Sequence, residues 1–173
     1  ITAAGETDQK ERIADALLTA RAGQDIVYAG WAGLEGMLRI IGEKEAELRE
    51  RFTPAFIGQM KAYDSELCGL SKIAVADAMG VSVIRQVSRG GILASLWDLA
   101  KDTELGLNLD LKKIAVRQET IEVCEYFRLN PYQLASGGSF LMLSENGEAL
   151  ADALNQKGIQ AAVIGQLTDS NDK

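Results

Sequence analysis

The chain has 173 residues, 47% hydrophobic and 25% charged, enough for one domain that buries roughly 70% of its unfolded surface and needs no disulfide or metal staple. Its 18 basic and 25 acidic residues give a net charge of −7, so it exerts no general attraction on nucleic acid or anionic lipid, and any anionic ligand must be held by a local site. The absence of histidine removes the Ser-His-Asp triad, the Cys-His pair and the commonest zinc ligand, leaving carboxylates, lysines, arginines, backbone amides or a partner domain for any chemistry.

The first expected element is a helix from Asp8 to Arg21, with Ile13, Ala14, Leu17 and Leu18 in a stripe at helical spacing. Asp25 to Ala29 then reads as a buried strand, ending in glycines at 30, 33 and 36. Leu34 to Phe52 is helical in pattern, its charges from Glu43 to Arg51 forming a solvated face. Thr53-Pro54 restarts a helix that runs to about Leu67, because proline suits the first helical position. Ser71 is expected to cap another helix, ending at Gly80.

The second half alternates more clearly. Strands are expected over Val81–Val87, Gly106–Asp110, Ser139–Leu143 and Ile159–Leu167, and helices over Ile92–Lys101, Gln118–Phe127 and Glu145–Gln156. Strands separated by helices of this length indicate a three-layer α/β/α (α/β or α+β) arrangement, a sheet flanked by helices. We expect one domain over residues 1–173, with a leading helix to about residue 22 and a frayed end over 168–173. The chain opens on Ile1, which reads as a processed chain or a fragment. No apolar run approaches the roughly 18 residues of a membrane span, and no secretory signal is visible.

The most informative stretch runs from Arg85 through Ser88, Arg89, Gly90 and Gly91 into the helix at Ile92. The first amides of a helix lack intrahelical acceptors, and paired glycines let a ligand approach the backbone. The helix dipole adds about 0.3–1 kcal/mol for an anion, and Arg85 or Arg89 is able to add a bidentate phosphate contact. A capped helix after a tight turn explains the same residues. Asn130 to Gly138, with Ser136 and Gly137 before the strand at Ser139, is a second candidate ligand loop or simply a constrained turn. Gly30, Gly33 and Gly36 match neither a dinucleotide fingerprint nor a P-loop.

Cys68 and Cys124 lie far apart and outside any CxxC pattern, which favours a reducing, cytoplasmic setting. Both read as packed thiols, and the acidic neighbours of Cys124 lend its thiolate no stabilisation. Trp31 and Trp97 read as core or interface anchors. No carboxylate pair stands out as an acid–base couple, so catalytic residues stay unassigned and no metal ligands are identified.

The order of these motifs goes further. Arg85 to Gly91 resembles the RDPTRGG signature of the hydrogenase maturation (carbamoyl dehydratase) branch of the aminoimidazole ribonucleotide (AIR) synthetase superfamily. Ile92 to Ala100, Ile114 to Thr120, Asn130 to Ala135 and Ala161 to Gly165 resemble the segments that follow it in that branch. The resemblance spans about Gln24 to Thr168 and implies the C-terminal domain of a two-domain protein that uses ATP to activate an oxygen by phosphorylation.

On that resemblance, the domain closes an active site built mainly by an N-terminal ATP-binding domain of the same chain, which is absent here. Ser88, Arg89, Gly90, Gly91, Ser136 and Gly137 are then the phosphate- or ligand-binding candidates. ATP and magnesium are expected for the parent protein, none held by this domain alone. The expected partners are that N-terminal domain, a second parent copy or a maturation partner protein, with no nucleic acid and no membrane. The departures are Gln86, Val87 and Ser88 within the signature, Gly137 where the branch carries glutamate, and Leu34-Glu35 where it carries Asp-His. A cysteine-terminated tail is also missing, so thiocyanate synthesis is not assigned. The alternative is a non-catalytic interaction module derived from the same family.

Overall fold

The computed structural model describes residues 17–87 and 89–169. Most of the expected leading helix, residue Ser88 and residues 170–173 lie outside them.

The strands are β1 (Asp25–Ala29), β2 (Val83–Gln86), β3 (Gly106–Leu109), β4 (Phe140–Ser144) and β5 (Ala161–Thr168). They form one sheet in the order β2-β4-β1-β5-β3, every neighbouring pair antiparallel. Thr168 therefore closes a strand instead of beginning a frayed end. The helices are α1 (Leu34–Leu48), α2 (Pro54–Lys61), α3 (Leu70–Ala78), α4 (Gly91–Thr103), α5 (Gln118–Phe127) and α6 (Gly147–Gln156). None of them is long and apolar enough to cross a membrane.

Residues 26–29 of β1 and 140–143 of β4 are unbroken apolar runs because both of their faces are covered. Ile26, Tyr28, Leu141 and Leu143 point to one face, where Ile92, Leu96 and Leu99 of α4 meet them. These α4 positions recur at helical spacing, so a single stripe reaches the sheet. Val27, Ala29, Phe140 and Met142 point to the other face, against Ala76 of α3 and Leu150, Ala151 and Leu154 of α6. Burying each of these leucines contributes roughly 1.5–3 kcal/mol. The expected three layers are thus present.

A third cluster holds Leu34, Met37, Ile41 and Leu48 of α1, Ile57 and Met60 of α2, and Val123 of α5, with no strand residue in its buried set. α1 kinks at Lys44 (φ −120°, ψ 23°) and ends at Leu48, short of Phe52. The Thr53 hydroxyl caps α2 by accepting from the Phe56 amide at 3.2 Å. α2 stops at Lys61, and residues 62–67 continue as a 3₁₀ turn. α3 begins at Leu70 after Gly69, so Ser71 sits in its first turn and does not cap it.

The register sets up the site. Ala29 pairs with Phe140 and with Ala161, and Gln86 pairs with Phe140. The ends of β1 and β2 and the starts of β4 and β5 therefore lie at one end of the sheet. Every glycine-rich segment singled out in the sequence enters or leaves the sheet there.

Candidate functional site

The segment from Asn130 to Ser139 is the hub of that end. Asn130 starts it as a short 3₁₀ turn, its side chain accepting from the Tyr132 amide at 3.0 Å. The head of α1 holds one side of it: Gly33 donates its amide to Ser136 Oγ at 2.7 Å, and Gly36 donates to the Ala135 carbonyl at 2.9 Å. Ser136 is fully buried, and its hydroxyl donates to the Leu134 carbonyl at 3.0 Å. Its hydrogen-bonding capacity is used inside the protein. Gly137 donates its amide to Glu35 Oε2 at 2.7 Å.

The head of α4 holds the other side. Gly91 has φ +76°, and a Cβ there would lie 2.7 Å from both the Gln133 carbonyl carbon and the Leu134 carbonyl oxygen. Its smallness is taken up by this backbone, with no space left for a ligand at Gly91 itself. Gly90 and Arg89 stand just outside, exposed, and Arg89 forms no ion pair with a described residue. Ser88 lies outside the described residues. Arg85, the other expected phosphate contact, is instead paired with Asp102. The sequence-derived candidates are therefore neighbours, but they divide: Arg89 and Gly90 face outward, whereas Gly91, Ser136 and Gly137 hold loops together.

Tyr28 extends the same network, donating its hydroxyl to Ser139 Oγ at 3.0 Å, and burial pushes its pKa up to about 12. The amides of Gly33, Gly36 and Gly137 are already taken by protein acceptors, which leaves the exposed Arg89 guanidinium as the group free to meet an oxyanion. This end does not suit magnesium, which takes oxygen ligands: no group of three His, Cys, Asp or Glu residues clusters among the described residues.

A cavity of about 490 Å³ opens at the same end on the α3–α6 face, lined by Trp31, Glu66, Lys72, Arg117, Lys157 and neighbours. Sequence reasoning missed it, because its residues come from distant segments that carry no shared motif. Lys72 is 5% exposed, and its ammonium donates to the carbonyls of Gly138 (2.6 Å), Glu66 (3.2 Å) and Cys68 (3.3 Å). Burial lowers its pKa, against the opposing pull of Cys68 and Glu66. The Arg117 guanidinium lies 4.3 Å from the Trp31 ring centroid and 3.8 Å from that of Tyr63, and it pairs with Glu66.

Three other expectations are settled by burial. Cys124 is buried, its thiol pushed up to about 11 by desolvation. Cys68, expected to be packed, is exposed and lines the cavity, because it sits in the loop between the 3₁₀ turn and α3. Trp97, 63% exposed, is no core residue; with Leu93, Leu96, Leu105 and Leu107 it lines an apolar groove of about 680 Å³ that holds none of the predicted site residues.

Five antiparallel strands with helices on both faces, and glycine-rich loops gathered at one end, define the class of domain. The chain belongs to the AIR synthase related protein, C-terminal domain family, whose model matches residues 21–173. Its relatives include the carbamoyl dehydratase HypE of Azotobacter vinelandii, 28% identical over 152 residues, covering 86% of this chain and 42% of the relative. The HypE of Rhizobium leguminosarum bv. viciae is 26% identical over 153 residues, covering 86% and 41%. The chain thus spans less than half the length of these relatives.

Among solved structures, E. coli HypE, a hydrogenase maturation protein, shares the fold with a TM-score of 0.68 and 22% identity, over 89% of this chain and 46% of that one. A HypE solved in complex with ATP gives 0.62 and 20%, over 88% and 44%.

Proposed function

We propose that this domain closes an ATP-dependent active site whose nucleotide and magnesium ligands come mainly from an N-terminal domain of the same protein. In this reading Arg89 and Gly90, at the head of α4, face the phosphates. Gly91, Ser136 and Gly137 fix the loops behind them. The observation that carries it is the gathering of the Gly30–Gly36, Gly90–Gly91 and Gly137–Gly138 segments at one end of the sheet, with an exposed arginine, Arg89, that no carboxylate among the described residues neutralises. A pre-positioned guanidinium stabilises charge that develops on a transferred phosphoryl group. The ATP-bound relative and the family membership support the same role.

A second reading, a non-catalytic module that docks a maturation partner, is favoured by one observation. The carboxylate of Glu35 occupies the space beside Gly137, so the glutamate the hydrogenase branch carries at that position would have to displace it here.

The deciding experiment compares ATP binding and hydrolysis by a longer protein carrying this domain with the same measurements on the 173-residue chain. Hydrolysis by the longer protein, reduced about a hundredfold by Arg89→Ala and absent from the short chain, supports the enzyme. A longer protein that neither binds nor hydrolyses ATP leaves the interaction module as the surviving account.

A further inference from the structure

We infer that the cavity between α3, α6 and the end of β1 is a binding site for a small phosphorylated molecule, distinct from the head of α4. Lys72, Arg117 and Lys157 place three cations on its walls against the single carboxylate of Glu66. In a chain of net charge −7 this is a local reversal of sign, and concave low-dielectric walls concentrate such a potential.

Two of the cations are built in. Lys72 is held by three carbonyls and is 5% exposed, so its charge stays fixed at the wall. Arg117 is clamped between the rings of Trp31 and Tyr63 and held by its pair with Glu66, so its guanidinium is ordered before any ligand arrives. Lys157 is exposed at the mouth and free to move onto a ligand. Ser71, in the first turn of α3, adds a hydroxyl where the helix dipole also favours negative charge.

The volume, about 490 Å³, lies in the range of small-molecule sites and exceeds what a bare ion fills. The walls are mainly polar, which matches a phosphate carried on a small hydrophilic body. None of Arg89, Gly90 and Gly91 lines the cavity, so the inference stands apart from the proposed active-site role.

Cys68 is a built-in reporter: it is exposed at the cavity wall, whereas Cys124 is buried. The test is the rate of alkylation of Cys68 by N-ethylmaleimide, a neutral reagent, in the intact chain with pyrophosphate, inorganic phosphate or succinate at matched ionic strength. Pyrophosphate at millimolar concentration is expected to slow alkylation on the order of fivefold, as for a millimolar site, with a smaller effect of phosphate and none of succinate. Lys157→Glu, a surface change, is expected to remove the protection, and Arg89→Ala to leave it intact. Alkylation unaffected by pyrophosphate, slowed equally by succinate, or protected equally in Lys157→Glu overturns the assignment. Loss of protection in Arg89→Ala transfers the phosphate to the head of α4 and likewise overturns it.

Discussion

Glu35 and Gly137, 102 residues apart in sequence, meet through a hydrogen bond of 2.7 Å from the Gly137 amide to Glu35 Oε2. A Cβ built at residue 137 would lie 2.5 Å from that same oxygen. The two positions are therefore coupled: a carboxylate arrives here from α1, and any side chain at 137 must displace it and break this hydrogen bond.

Gly137→Glu is accordingly expected to destabilise the chain by about 1–3 kcal/mol through overpacking, increased by repulsion between two carboxylates. In a Glu35→Ala background the same change is expected to cost clearly less. Urea denaturation of the four proteins of this cycle measures the coupling. Additive losses would show that the two sites do not compete for space.

Gly91 offers a second test of how the site is held. With φ +76° and the Gln133 and Leu134 backbone at 2.7 Å from a Cβ, Gly91→Ala incurs both the left-handed penalty of about 1–2 kcal/mol and overpacking of about 1–3 kcal/mol. Gly23 is the control, since it has φ +90° and nothing within 4 Å of a Cβ, so Gly23→Ala is expected to show only the first cost. Equal losses at both positions would mean that the α4 head does not press on the 132–134 backbone.

Alkaline pH is expected to destabilise the fold through Cys124 and Tyr28. Burial raises Cys124 from 9.0 to about 11 and Tyr28 from 10.0 to about 12. The folded state keeps protons that the unfolded chain releases, so stability falls as pH rises from about 9 through these values. Lys72, whose pKa burial lowers, acts in the opposite sense, gaining stability as pH approaches the usual lysine value. Comparing Cys124→Ala with the unmodified chain isolates one term, on the order of 2 kcal/mol near pH 10.5. Melting temperatures that fall equally steeply in both proteins would remove Cys124 from this account.

The pair of Arg117 with Glu66, backed by the Trp31 and Tyr63 rings, ties the 62–69 segment to the start of α5. Arg117→Ala is expected to destabilise by about 2–3 kcal/mol, from one charged hydrogen bond and partly desolvated cation–π contacts. The loss should be concentrated in faster amide hydrogen exchange over residues 62–69. Uniform acceleration across the sheet would point instead to a global role.

The strands show how much was legible. β1 was read at its observed bounds because Asp25–Ala29 is a short apolar run closed by a glycine, and α5 because Pro131 and the polar turn before it punctuate its end. α1 was read too long, since the charged pattern continues past Leu48 whereas the helix kinks at Lys44 and ends at Leu48. The antiparallel sense of the sheet had no local signature, because a strand covered on both faces is apolar throughout whichever way its neighbours run.

By itself the sequence determined the layered fold, the exclusion of histidine chemistry and the segments that matter, because periodicity, punctuation and composition are properties of neighbours along the chain. The tertiary structure alone decided which glycines stand exposed and which press on backbone, that Ser136 is consumed internally, and that Lys72, Arg117 and Lys157 share one cavity. Those outcomes depend on which distant segments the antiparallel register brings to the same end of the sheet, and no local pattern encodes that distance.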